Sequence, residues 1–136
     1  MQTKDYVNDA LRTELDAEQY SKSAQLLNDP NIVRLLHAAM GMTTEVGELM
    51  DALKRHIFYG KPLDFVNLAE EAGDNAWYWA ILVDVVEKMS GITADEVLQR
   101  NIAKLKARYP DKFNSQDALN RNLDTERQVL EGKNAN

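Results

Sequence analysis

Two pairs of acidic residues, each spaced i and i+3, lie inside the two most apolar segments of the chain. Glu45 and Glu48 form the first pair, and Glu71 and Asp74 form the second. Residues three positions apart lie about 60° apart around an α-helix, so each pair shares one helix face. Burying carboxylates is unfavourable unless a cation, a shared proton or a basic side chain compensates them. The two pairs therefore indicate a cation-binding site or a set of buried ion pairs.

The types of ligand that the chain offers narrow the choice of metal. It contains no cysteine, which excludes a thiolate site, and oxygen ligands favour Mg²⁺ first and Mn²⁺ as its substitute. Di-iron carboxylate bundles use Glu-x-x-His, and neither His37 nor His56 lies three residues after a glutamate. The alternative is that basic residues merely pair with the acids. The candidates for such pairing are Lys54, Arg55 and Lys104.

The elements that must position these acids are helices. Apolar residues recur every three or four positions, no strand pattern appears, and the turn at residues 59–62 separates two long helices. A capping box at Thr93 and Glu96 begins a further helix. The predicted helices are 3–14, about 18–27, 30–58, 63–89, 94–108 and 123–130, with 111–122 irregular and 132–136 as a frayed end. The expected fold is all-α, an antiparallel helical bundle.

Length and charge restrict the class of protein. A chain of 136 residues that is 44% hydrophobic can bury one core, which predicts a single domain over 1–136, with its core at about 30–110 and a tail at 111–136. The net charge of −6 disfavours a nucleic-acid polymer as partner. The longest apolar run, residues 76–86, is too short for a membrane span, and the N-terminus lacks the pattern of a signal peptide. We therefore expect a cytoplasmic protein.

Three segments together resemble a known family. They are HAAMGMTTEVGELMDALKRH (37–56), EEAGDNAWYW (70–79) and NIAKLKARYPDKF (101–113), and they are similar to the MazG-like nucleoside triphosphate pyrophosphohydrolases. The short single-domain forms from bacteria and phages are the most similar, over roughly residues 30–126. The resemblance implies an all-α magnesium enzyme that acts as a homodimer or homotetramer in a bacterial or phage-infected cytoplasm. It also implies cleavage of (deoxy)nucleoside triphosphates to monophosphate and pyrophosphate.

The resemblance assigns roles to the four acids. It makes Glu45, Glu48, Glu71 and Asp74 the metal ligands, because the family's ExxE and ExxD pairs fall on these positions. Catalysis also needs a carboxylate that activates water, and Glu45 or Glu48 would serve. The sequence does not separate these two residues. Phage members that act on guanine nucleotides favour dGTP or GTP as the substrate.

Basic and amide side chains further along the chain are candidates for binding the triphosphate. Asn101, Lys104 and Arg108 lie at i, i+3 and i+7 on one helix face, where they would meet phosphate oxygens or form a solvated basic face. The resemblance adds Lys54 and Arg121 as substrate-binding residues. Two other functions stay open: an all-α pyrophosphatase of the dUTPase type, and a helical interaction module without enzymatic activity.

Overall fold

The computed structural model describes residues 2–132, and this range is built from α-helices without strands. The helices are α1 Thr3–Leu11, α2 Ala17–Leu26, α3 Pro30–Tyr59, α4 Phe65–Ser90, α5 Ala94–Arg108, α6 Ser115–Leu119 and α7 Leu123–Leu130. The prediction of an all-α fold is confirmed. The chain divides into two compact units inside α4, the first ending at Asn75 and the second beginning at Ala76. The single domain predicted over 1–136 stays a prediction.

Most helix ends agree with the prediction, and one segment was wrong. Helices α3, α4, α5 and α7 begin and end within two residues of their predicted bounds, whereas α1 ends three residues early, at Leu11. The segment 111–122 was predicted to be irregular, but it contains α6. The side chain of Asn114 caps α6 by accepting a hydrogen bond from the Asp117 backbone at 2.8 Å. A frayed end is predicted at 132–136, and residues 133–136 of that segment lie outside the described range.

Local capping signals fix the ends of α3. The Asp29 side chain accepts a hydrogen bond from the Asn31 backbone at 2.8 Å, and Pro30 occupies the first turn, where no intrahelical donor is needed. The helix stops at Gly60, whose φ of 63° is left-handed and therefore suits glycine. The thirty residues between these caps carry the first acidic pair.

Helix α4 begins at a second aspartate cap. The Asp64 carboxylate accepts backbone hydrogen bonds from Val66 at 3.0 Å and Asn67 at 3.2 Å. This cap fixes where α4 begins, and the second acidic pair follows on the same helix. In the second unit, Val85 is fully buried on α4. None of the helices within residues 2–132 is long and apolar enough to span a membrane.

Helices α5 and α7 pack together in the second unit. The capping box of Thr93 and Glu96 begins α5, as predicted. Arg100 donates a hydrogen bond to the backbone carbonyl of Leu130 at 3.0 Å, and Arg108 bonds the Glu126 carboxylate. Because the later residue of α5 meets the earlier residue of α7, the two helices run in opposite directions.

Candidate metal and nucleotide site

Three of the four predicted acids come together in the first unit. Glu45, Glu71 and Asp74 each place a carboxylate oxygen within 4.8 Å of the others, and we refer to them as the carboxylate cluster. Glu71 is buried, with 4% of its surface exposed, whereas Glu45 is half-buried and Asp74 is exposed. Glu48 is exposed and lies outside this group. The cluster therefore runs from a buried floor at Glu71 to an open edge at Asp74.

The electrostatics of the cluster are those of crowded like charges. Burial raises the pKa of Glu45, and its hydrogen bond to Glu71 together with the charges of Glu48, Asp74 and Glu71 raises that pKa further. Glu48 is thus close enough to act on Glu45, although it does not join the cluster. A bound cation would offset this repulsion.

Within the described residues of the first unit, the acids of the carboxylate cluster form no ion pair with a lysine or arginine. Lys54 and Arg55 instead pair with Asp51, at 3.5 Å and 2.6 Å respectively. Besides its hydrogen bond with Glu45, the buried Glu71 carboxylate accepts one from an amide, because Asn67 Nδ2 donates to Glu71 Oε1 at 2.8 Å.

A cleft of about 1210 Å³ opens beside the cluster in the same unit, with Glu71 in its wall. Lys54 lies on this cleft, with its ammonium 5.9 Å from the centre of the Tyr59 ring. Lys61 and Glu48 also line it. The complete lining is Gly47, Glu48, Asp51, Ala52, Lys54, Arg55, Tyr59, Lys61, Pro62, Asp64, Asn67, Glu70 and Glu71. Its volume is above the roughly 300–1,000 Å³ typical of small-molecule sites, so a nucleotide is compatible with its size.

The donor set of the cluster suits a hard divalent cation. All three groups are carboxylates, and Mg²⁺ is typically held by a few carboxylates while it keeps several of its waters. The exposed edge at Asp74 leaves room for such waters and for phosphate oxygens. The residues present therefore fit the metal that the acidic pairs predicted.

The predicted substrate-binding residues of α5 lie in the second unit. Asn101 is exposed and Lys104 is half-buried. Arg108 differs from both, because its side chain is only 16% exposed. Its guanidinium is turned toward α7.

Glu126 holds the two predicted arginines together. Arg108 donates from Nε to Oε1 at 2.9 Å and from Nη2 to Oε2, while Arg121 donates from Nε to Oε1 at 3.2 Å and from Nη2 to Oε2 at 2.8 Å. The hydrogen bonds from Arg121 and Arg108 lower the pKa of Glu126 to about 2. A small pocket of about 260 Å³ adjoins this group. We refer to the three residues as the arginine clasp.

Sequence reasoning missed three residues near these groups. Asn67 lies four residues before Glu71 on the same helix, and that spacing alone would have identified it as a neighbour. Lys61 carries no such signal, because it reaches the cleft through the turn that follows Gly60. Glu126 lies 18 positions from Arg108, and no local spacing reports a pairing over that distance.

Carboxylates clustered beside a large cleft in an all-α chain are the arrangement expected of metal-dependent helical nucleotide hydrolases. The family model of the MazG nucleotide pyrophosphohydrolase domain matches residues 36–113, more than half of the chain. The chain belongs to this family, as the resemblance predicted. Comparisons with curated proteins and with solved structures gave no match. Membership supports a nucleotide pyrophosphohydrolase activity, and the family is generally dependent on divalent metals.

Proposed function

We propose that this protein hydrolyses (deoxy)nucleoside triphosphates to nucleoside monophosphate and pyrophosphate with magnesium as its cofactor. The observation that carries the proposal is the convergence of Glu45, Glu71 and Asp74 beside the cleft, inside the segment that matches the family. Manganese, which shares the preference for oxygen ligands, is expected to substitute. The proposed substrates are free nucleotides in the cytoplasm.

The cluster would hold the cation through the carboxylates of Glu45, Glu71 and Asp74. When bound, the divalent cation supplies charge neutralisation for the triphosphate and lowers the cost of bringing it near the acids. Glu71 is the most constrained of the three ligands, because it is buried and hydrogen-bonded by Asn67. Glu48, the fourth predicted acid, lies in the cleft wall and outside the carboxylate cluster.

We assign the activation of water to Glu48. It is exposed, lines the cleft and lies outside the cluster, so its carboxylate is free to accept a proton. Glu45 is less suited to this role, because it shares a hydrogen bond with Glu71. The water oxygen attacks the α-phosphorus, the bond from that phosphorus to the α,β-bridging oxygen breaks, and pyrophosphate leaves. The proton of the water passes to Glu48 and then to solvent.

Basic side chains would hold the phosphates during this step. Lys54 and Lys61 are the cations on the cleft that we assign to the triphosphate. Asn101 and Lys104 of the second unit stay predicted phosphate contacts. Arg108 and Arg121 stay candidates for substrate binding, although Glu126 already takes two N–H donors from each guanidinium. Arg108 also has a hydrogen bond to Tyr109, so fewer of its five N–H groups remain for a phosphate oxygen.

The test is product analysis over a panel of nucleoside triphosphates. With magnesium, the protein should convert its substrate to monophosphate and pyrophosphate, and ³¹P NMR identifies these products. We expect guanine nucleotides to be the preferred substrates. Release of nucleoside diphosphate and orthophosphate would refute attack at the α-phosphorus. Activity confined to dUTP would indicate the dUTPase type, and no turnover of any nucleotide would favour an interaction module. Glu48→Gln, which removes only the proposed base, should retain metal binding and lose turnover.

A further inference from the structure

Asn67 occupies a defined position between the α4 cap and the carboxylate cluster. Its backbone N–H donates to the Asp64 cap at 3.2 Å, and its side chain is half-buried in the cleft wall. One turn later on the same helix face, its Nδ2 donates to Glu71 Oε1 at 2.8 Å. The cap at the start of α4 therefore fixes a residue that in turn contacts the buried acid.

The chemistry of this contact suits a metal ligand. An amide donor orients a carboxylate without carrying charge, so it does not replace the cation as a lysine or arginine would. It takes one acceptor position on Oε1, and the carboxylate has further acceptor positions besides those used by Asn67 and by the hydrogen bond with Glu45. In known metal sites, residues that hydrogen-bond a ligand in this way fix its orientation, and their loss typically weakens metal affinity about 10- to 100-fold.

We infer that Asn67 is a positioning residue for divalent-cation binding, acting through the buried Glu71 carboxylate. The inference rests on the proposed function, in which Glu71 is a metal ligand. It adds a residue that does not belong to the acidic pattern. Asn67 holds one rotamer of Glu71, so that the carboxylate meets the cation without first having to be ordered.

The same helix provides a matched control. Asn75 lies four residues after Glu71, is half-buried like Asn67, and also uses its Nδ2 to bond Glu71. Its acceptor is the backbone carbonyl of Glu71, at 3.1 Å, and not the carboxylate. A variant of Asn75 therefore loses an amide hydrogen bond to the same residue while leaving the metal-binding oxygens unchanged.

The experiment measures magnesium binding to the metal-free protein by isothermal titration calorimetry and by the magnesium-induced rise in melting temperature. Asn67→Leu keeps the approximate shape of the side chain and removes the donor, and Asn67→Gln restores a donor on a longer side chain. We expect Asn67→Leu to weaken the affinity for magnesium about 10-fold or more. Asn75→Leu should stay within about twofold of wild type, and Asn67→Gln should recover part of the loss.

The outcomes separate this inference from the proposed function. Full magnesium affinity in Asn67→Leu, with a normal wild-type response, would overturn the role of Asn67 and leave the metal site intact. An equal loss in the Asn67 and Asn75 variants would also overturn it, since both would then act through helix stability. A wild-type protein that binds no magnesium would overturn both proposals. If Asn67→Leu fails to fold, Asn67→Ala is measured in the same way and decides by the same criteria.

Discussion

Replacing Glu71 with glutamine tests the carboxylate cluster most directly. Glu71 is its buried member, and the change removes one negative charge while keeping an oxygen that can accept the Asn67 hydrogen bond. With less like-charge repulsion, the metal-free variant should melt at the same temperature as wild type or higher. Activity should be abolished, because one of three ligands is lost.

The size of the magnesium effect follows from mass action. At a magnesium concentration of about 100 Kd, binding to the native state alone stabilises wild type by about 2.7 kcal/mol. For a chain of this length that corresponds to a rise of about 10 °C in melting temperature. If losing a ligand weakens the affinity for magnesium about tenfold or more, the stabilisation falls to about 1.4 kcal/mol or less. The melting temperature then rises by about 5 °C or less.

The assay is a set of thermal scans followed by circular dichroism, with and without magnesium at matched ionic strength. Glu70→Gln is the control, because Glu70 is the neighbouring exposed acid on the cleft and lies outside the cluster. It removes the same charge one position away and should keep the full magnesium shift. A Glu71→Gln protein that melts lower than wild type without metal, yet keeps the full shift, would remove Glu71 from the site.

The remaining predictions concern the arginine clasp, the α5 lysine and assembly. Because the folded-state pKa of Glu126 is lowered to about 2, its stabilisation should be complete above pH 4.5 and lost as the pH falls through 2. Acid unfolding of Glu126→Gln should therefore show a weaker pH dependence in that window. Lys104→Ala should raise KM for the triphosphate with little change in melting temperature. A fall in melting temperature as marked as the loss of activity would contradict a phosphate contact. Exposed apolar side chains on α1 and α3, including Leu11 and Ile57, predict a homodimer or homotetramer, and a 15.4 kDa monomer in light scattering would refute it.

The helices and the clustering of three acids could be predicted from the sequence because their signals are local. A thirty-residue apolar repeat with Asp29 and Pro30 at one end and Gly60 at the other specifies α3 by itself. Helix α6 has only five residues and is too short for a periodic pattern, so its cap was the one available sign. Spacing placed each acidic pair on one face, but it did not predict that Glu48 would turn toward the cleft while Glu45 joined the cluster.

The two buried glutamates illustrate what sequence alone leaves undecided. Glu71 and Glu126 are 4% and 5% exposed, and each lies on a helix with apolar neighbours. Burying either charge is costly, so each requires compensation. Two guanidinium groups supply it for Glu126, which explains its lowered pKa and makes the arginine clasp a way to hold α7 on α5.

Glu71 has a different set of partners. Among the described residues of the first unit, it meets the amide of Asn67 and the carboxylates of Glu45 and Asp74, and no lysine or arginine. An amide orients a carboxylate without neutralising it, and two further acids increase the repulsion. We propose that a divalent cation supplies this compensation. The contrast between amide and guanidinium partners is the physical reason to propose metal binding for Glu71 and a structural role for Glu126.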